Sequence, residues 1–212
     1  MCFSAISSFS AAGMLTGIGI LALLSAKRPA TYPTAVIPFG FAIQQAAEGI
    51  VWVTYGNPEH LLLTHAASVL FLFFAMIVWP VWMPFSLVIA ERGRTQWYKL
   101  VAFTVLGIIV AAYGAYLLCT FPIRASITCH SIAYMYGNMS FLIQCIHAVA
   151  YLSVTVVPFF ISTRPFSRVF GGLLSIALIA SWWFWYATAG SVWCFFAALL
   201  SSLIVVQLYL CE

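Results

Sequence analysis

Three residues of this chain, Glu48, His65 and His147, combine side-chain types and positions that could do chemistry within a bilayer. Each lies in an apolar run long enough to cross a membrane, and Glu48 is the only acid inside any such run. A carboxylate at the bilayer centre costs about 2.5–3.5 kcal/mol on insertion scales, so it requires a partner, a proton or a function. Imidazole and carboxylate are ordinary ligands for zinc, iron or copper, and a catalytic zinc takes three protein ligands plus water. Glu48, His65 and His147 match that count, which makes a divalent metal such as zinc or copper the expected cofactor. Cys2 is a fourth candidate ligand: loss of Met1 would place an amine and a thiol together.

Other polar residues would surround such a site. Gln44, Gln45, Glu48, Trp52 and Tyr55 recur at helical spacing and form one polar stripe. Gln144 and Tyr151 flank His147 on one helical face and could orient it. With His130 in the connection before that helix, these residues outline a ligand pocket. Two histidines on different helices could instead hold a haem axially; the chain has no Cys-x-x-Cys-His, so such a haem would be non-covalent. The plain alternative is a hydrogen-bonded network in which Glu and His satisfy each other without metal. No His-Glu-x-x-His or Cys-x-x-Cys motif selects among these readings.

The elements that must position these residues are membrane helices. Of 212 residues, 65% are hydrophobic and 6% charged, a balance that leaves too few polar groups to cover a soluble domain of this size. Apolar runs of about 20 residues recur along the chain. They predict a single integral membrane domain with an all-α fold, a seven-helix bundle, with helices near 5–26, 33–55, 60–90, 100–118, 140–160, 169–185 and 193–210. Pro80 and Pro84 are expected to kink or end the third helix. The stretch from Cys119 to Asn138 reads as a polar connection. Gly13 and Gly17 form a GxxxG match on the first helix, suited to close packing within the bundle and leaving a homo-oligomer open.

Charge sets the expected orientation. Lys27, Arg28, Arg92, Arg94, Lys99, Arg164 and Arg168 fall in the connections after helices 1, 3 and 5, and only Arg124 falls on the other side. The positive-inside rule then places the N-terminus outside and the C-terminus in the cytoplasm. No base precedes the first apolar run, so that run is expected to stay as a helix rather than leave as a signal peptide. At 1.5 Å per residue, Glu48, His65 and His147 all come to lie roughly 8–10 Å below the outer surface. Cys119 and Cys129 would share that outer side and could form a disulfide.

Several classes are disfavoured. No basic cluster with interleaved aromatics points to nucleic acid. Helix 7 has no lysine for a retinal Schiff base. A proton- or ion-coupled transporter using Glu48 needs a polar path to the inside, where Thr155, Ser201, Ser202 and Gln207 are the only polar side chains of the inner half. A blind site open outward, binding a metal ion or small ligand as a sensor or a metal-dependent enzyme, is therefore the leading expectation.

The N-terminal block Met1-Cys2-Phe3-Ser4-Ala5, the Gln44-Gln45, Glu48-Gly49 and Trp52 stretch, and Phe73-Phe74 leading to Trp79-Pro80-Val81-Trp82-Met83-Pro84 carry a resemblance. Over roughly its first ninety residues the chain resembles a family of small bacterial multi-spanning membrane proteins of unknown function. The resemblance implies a bacterial inner membrane and supplies no activity or cofactor. More loosely, the chain is similar to seven-helix zinc amidases of the ceramidase type. Those carry Ser, Asp and three His in fixed motifs, whereas this chain has no Asp and no His-x-x-x-His.

Overall fold

The computed structural model describes residues 4–128, 130–136 and 140–211. Among them are seven helices long and apolar enough to cross a membrane: α1 (Ala5–Ser25), α2 (Pro29–Thr54), α3 (Pro58–Ala90), α4 (Trp97–Thr120), α5 (Phe141–Ile161), α6 (Phe166–Phe184) and α7 (Tyr186–Leu208). A two-stranded antiparallel sheet, β1 (Ile123–Thr128) and β2 (Ser131–Tyr136), stands between α4 and α5. The chain is thus a multi-pass membrane protein.

α1 starts at Ser4, whose side chain accepts the Ser7 N–H at 3.2 Å. It buries Ser8, Ala11, Ala12, Leu15, Gly19 and Ala22, a stripe of mostly small side chains, and packs mainly on α2. Rings lie over glycines at both ends of this pair. A Cβ on Gly19 would stand 2.7 Å from the Phe39 ring, and one on Gly49 would stand 2.9 Å from the Phe9 ring. The sequence pattern pointed to Gly13 and Gly17 instead. Both face outward with nothing near their Cβ positions, so Gly19 is the packing glycine of this helix.

α3 covers the expected stretch and does not end at its prolines. It runs on to Ala90, with a π-helical turn, Phe74–Val78, just ahead of Pro80. In a regular α-helix the Met76 carbonyl would receive the N–H of residue 80, and the Pro80 carbonyl that of residue 84. Both donors are missing because both residues are proline. α4 brings Gly107 and Gly114, two turns apart, against these two carbonyls. A Cβ on Gly114 would lie 2.7 Å from the Met76 oxygen, and one on Gly107 would overlap the Pro80 oxygen. Only glycine lets the α4 backbone come this close, the small-residue contact that membrane helices favour. Adding a methyl group at either position would overpack the contact, at a cost of about 1–3 kcal/mol.

The polar connection after α4 is a β-hairpin, not an open loop. β-branched and aromatic residues in Ile123–Thr128 and Ser131–Tyr136 suit paired strands. Thr128 pairs with Ser131, and His130 just before Ser131 takes a φ of 58°. The hairpin lies over one end of the bundle. Ile123 and Ile132 are buried, Tyr134 stacks on Phe71 at 4.6 Å, and the Ser131 and Thr188 hydroxyls share a hydrogen bond of 2.6 Å.

At the opposite end, α3 is clasped to the α5–α6 connection. Glu91 is fully buried just past α3 and accepts from Ser162 Oγ at 2.7 Å, Thr163 N–H at 2.9 Å and Thr163 Oγ1 at 2.7 Å. Arg164 donates to the Ala90 carbonyl at 2.8 Å. Arg94 lies 3.7 Å from Glu91 with half of its own side chain exposed, so this ion pair adds little. Burial pushes the Glu91 carboxyl up, but the hydrogen bonds from Thr163 and Ser162, with the Arg94 charge, outweigh it and hold the group below its ordinary value. A lowered folded value means that the stabilisation is complete above the unfolded value of about 4.3 and is lost as pH falls through the folded value. The melting temperature of the wild type should therefore fall as pH drops below about 4.3. Glu91→Gln should start lower at neutral pH and show a shallower slope in that range; parallel slopes would show that the clasp does not titrate.

Candidate functional site

Glu48 occupies the middle of α2 with no exposed surface. Its carboxyl oxygens accept from neutral donors. Ser191 Oγ, at the start of α7, donates to Oε1 at 2.5 Å, and Gln45 Nε2, three residues earlier on the same helix face, donates to Oε2 at 3.2 Å. Glu48 therefore ties α2 to α7. The adjacent Gln44, equally buried, ties α2 to α3: its Oε1 accepts from Trp79 Nε1 at 2.8 Å, and its Nε2 donates to the Phe71 carbonyl at 3.3 Å. Trp79 is the first residue after the π turn, and Phe41 stacks on its ring at 4.0 Å. The π turn thus aims Trp79 at Gln44, and Gln44 adds a second donor to the Phe71 carbonyl just before the turn.

The histidines do not join Glu48. His65 is exposed on the outside of α3, whereas Glu48 is sealed in the interior. His147 lies half-buried on α5, against Tyr113 at 5.2 Å and Tyr151 at 6.4 Å. Among the described residues no group of three or more His, Cys, Asp or Glu side chains could hold a metal ion. The expected Glu48–His65–His147 centre is corrected accordingly. Equal depth along three helices says nothing about azimuth, and α3 turns His65 away. Cys2, the fourth candidate, lies outside the described residues, as does Cys129, the partner expected for Cys119. Gln144 and His130 are exposed, and Trp52 is half-buried. Gln44 and Gln45 act as ties within the core rather than as pocket walls.

What the bundle does form is a cavity of about 840 Å³ below the hairpin, between α3, α5, α6 and α7. Its apolar walls include Phe71, Met76, Leu152, Leu178 and Trp193. One wall is polar without being charged: Tyr134 from the hairpin, His147 and Tyr151 from α5, and Thr188, Ser191 and Cys194 from α7. His147 Nε2 is buried without a hydrogen-bond partner among the described residues. Ser191 stands in this wall with its hydroxyl engaged by Glu48 behind it. Cys194, one turn further along, is buried in this wall beside Gln44. Glu48 and Gln44 of α2 thus lie behind two neighbouring positions of the cavity wall.

The N-terminal block and the Gln44 to Trp52 stretch are now placed in one matched unit. The chain belongs to the family described as "Family of unknown function (DUF6629)", which matches residues 1–210. No curated protein and no solved structure matches it.

Sequence reasoning reached Glu48, His147 and Tyr151 because ionisable and amphipathic residues stand out in apolar helices. It missed Ser191, Thr188, Tyr134 and Cys194 as one wall. A lone serine or threonine in an apolar run carries no signal, but the Ile123–Thr128 and Ser131–Tyr136 alternation could have revealed the hairpin that brings Tyr134 over the site.

The two ties should respond differently to substitution. Gln44→Leu removes the acceptor for the Trp79 indole, which should cost about 1–3 kcal/mol because a buried donor is left unmade. Glu48→Gln keeps a carbonyl oxygen for Ser191 and should be nearly neutral, whereas Glu48→Leu strands both donors. Thermal melts in detergent that rank Glu48→Gln with Glu48→Leu would show that the charge, not the hydrogen bonding, is what the fold uses.

Proposed function

We propose that this chain is an integral membrane protein that binds a small ligand in the blind cavity beneath the hairpin, with the Glu48-supported wall at Ser191 and Cys194 and the ring of His147 giving it polar contacts. The observation that carries the reading is the cavity itself. At about 840 Å³ it falls in the upper part of the roughly 300–1,000 Å³ range of small-molecule sites, and its apolar lining with a few convergent polar groups is the pattern of such sites. The absence of a metal-competent cluster among the described residues moves the reading from metal ion to organic ligand.

A blind pocket is favoured over a transport path by what happens toward the clasp end. Thr155 donates to the Tyr151 carbonyl, Ser201 to Ala198 and Ser202 to Leu199. These hydroxyls are turned onto the backbone of their own helix rather than into a passage. The distribution of bases supports placing the hairpin outside and the clasp in the cytoplasm. On this reading a reporter fused after Glu212 is active only in the cytoplasm and one inserted in the hairpin only outside.

Organic extraction of the purified protein, followed by mass spectrometry, should release a stoichiometric small molecule. Leu152→Trp, which fills the cavity from α5, should release none, and adding the extract back should raise the melting temperature of the wild type alone. Equal release from both proteins would remove the cavity from consideration. Flux of ions or solute in proteoliposomes, abolished by Glu48→Gln, would favour the transporter.

A further inference from the structure

Resting on that reading, we infer that the ligand is a membrane lipid with an uncharged, hydroxyl- or carbonyl-bearing head, and that it reaches the cavity sideways, from one leaflet, between α5 and α6. Depth is the first support. The cavity begins at the hairpin and extends along α5 past His147 to Leu152. Leu152 is eleven residues into a helix that starts at Phe141, or about 17 Å at 1.5 Å per residue. Half of a hydrocarbon core is about 15 Å, so the cavity spans the depth of a single leaflet.

The rim is the second support. The lining includes Ala148 of α5 and Ile179, Trp182 and Trp183 of α6, and all four are exposed. Ile179 is 65% exposed, Trp182 58% and Trp183 75%. An opening edged by such residues suits the apolar region and its tryptophan-rich boundary, where an indole can face both lipid and headgroups. α5 and α6 are joined tightly at the clasp end through the short connection that holds Ser162 and Thr163, and both continue to the hairpin end with large apolar side chains turned outward, among them Ile146, Val149 and Ile176. A seam between two helices held at one end is a lateral path for a chain.

The head follows from the wall chemistry. Tyr134, Thr188, Ser191, His147 and Tyr151 offer hydroxyl and imidazole groups, and among the described residues no lysine, arginine, aspartate or glutamate lines the cavity. A phosphate or carboxylate head would enter an apolar site without a cation to meet it, and would stand beside the Glu48 carboxyl just behind Ser191. Burying an unpaired charge is costly, whereas a hydroxyl or carbonyl can exchange hydrogen bonds with the wall.

The test uses the full chain reconstituted in phosphatidylcholine vesicles. The probes are a monoacylglycerol with a diazirine in its acyl chain and the lysophosphatidic acid with the same chain. After photolysis, peptides containing Leu152, Leu178 or Trp193 should be labelled by the monoacylglycerol at least tenfold more than by the anionic analogue. Ala148→Trp, or Ile179→Trp if the first variant does not fold, should slow that labelling at least fivefold. Val149→Trp, one residue away and facing outward, should leave it unchanged. Equal labelling by both probes would overturn the uncharged head. Unchanged labelling in both rim variants would overturn sideways access while leaving the ligand pocket standing. Labelling confined to outward-facing residues such as Val149 in the wild type would remove the pocket itself.

Discussion

A carboxyl group inside an apolar bundle has no water to turn to, so the protein must supply every hydrogen bond it makes. Ser191 and Gln45 both donate to Glu48, and that requirement fixes more than one residue. Ser191 can reach Oε1 only if the start of α7 lies against the middle of α2, which seats α7 and sets its polar face toward the cavity. Cys194 then falls beside Gln44, and Thr188 falls under the hairpin, where it meets Ser131. One buried acid thus aligns a spanning helix, a cavity wall and the sheet above it.

The same accounting explains the odd backbone of α3. Pro80 and Pro84 withdraw two amide donors, and a π turn precedes them. The chain answers with side chains and with shape. Gln44 serves the Phe71 carbonyl and the Trp79 indole, and Gly107 and Gly114 let α4 close over the Met76 and Pro80 oxygens. In lipid, irregular backbone is tolerated where it is buried in protein, and here it is buried between α2 and α4. The clasp at Glu91 follows the rule at the other end, where a second buried carboxyl is satisfied by the connection between α5 and α6. With α5 and α6 held together there, their other ends frame the cavity.

Much of the fold was legible in the chain alone. Seven apolar stretches, each bounded by polar or proline-containing segments, can be nothing but spanning helices when charged residues are this scarce, because hydrocarbon admits backbone only with its hydrogen bonds closed within the helix. The importance of Glu48 was legible for the related reason that an acid in such a stretch is expensive. The hairpin was less so, since its short alternating strands lie among serines and threonines that read equally well as a loop.

Sequence by itself determined which residues lie within the apolar helices and how far each stands along its own helix, because rise per residue is constant. It could not determine which way a side chain faces, because azimuth depends on how each helix is rotated against its neighbours. That is why Glu48, His65 and His147 shared a depth on paper while α3 turns His65 outward. Only the tertiary structure decided that the partner of Glu48 is Ser191, because the two are 143 residues apart and a single serine in an apolar helix gives no sign of what it will meet. The cavity was decided at the same level: it is the space left where α3, α5, α6 and α7 fail to close beneath the hairpin, and empty space between helices has no residue to announce it.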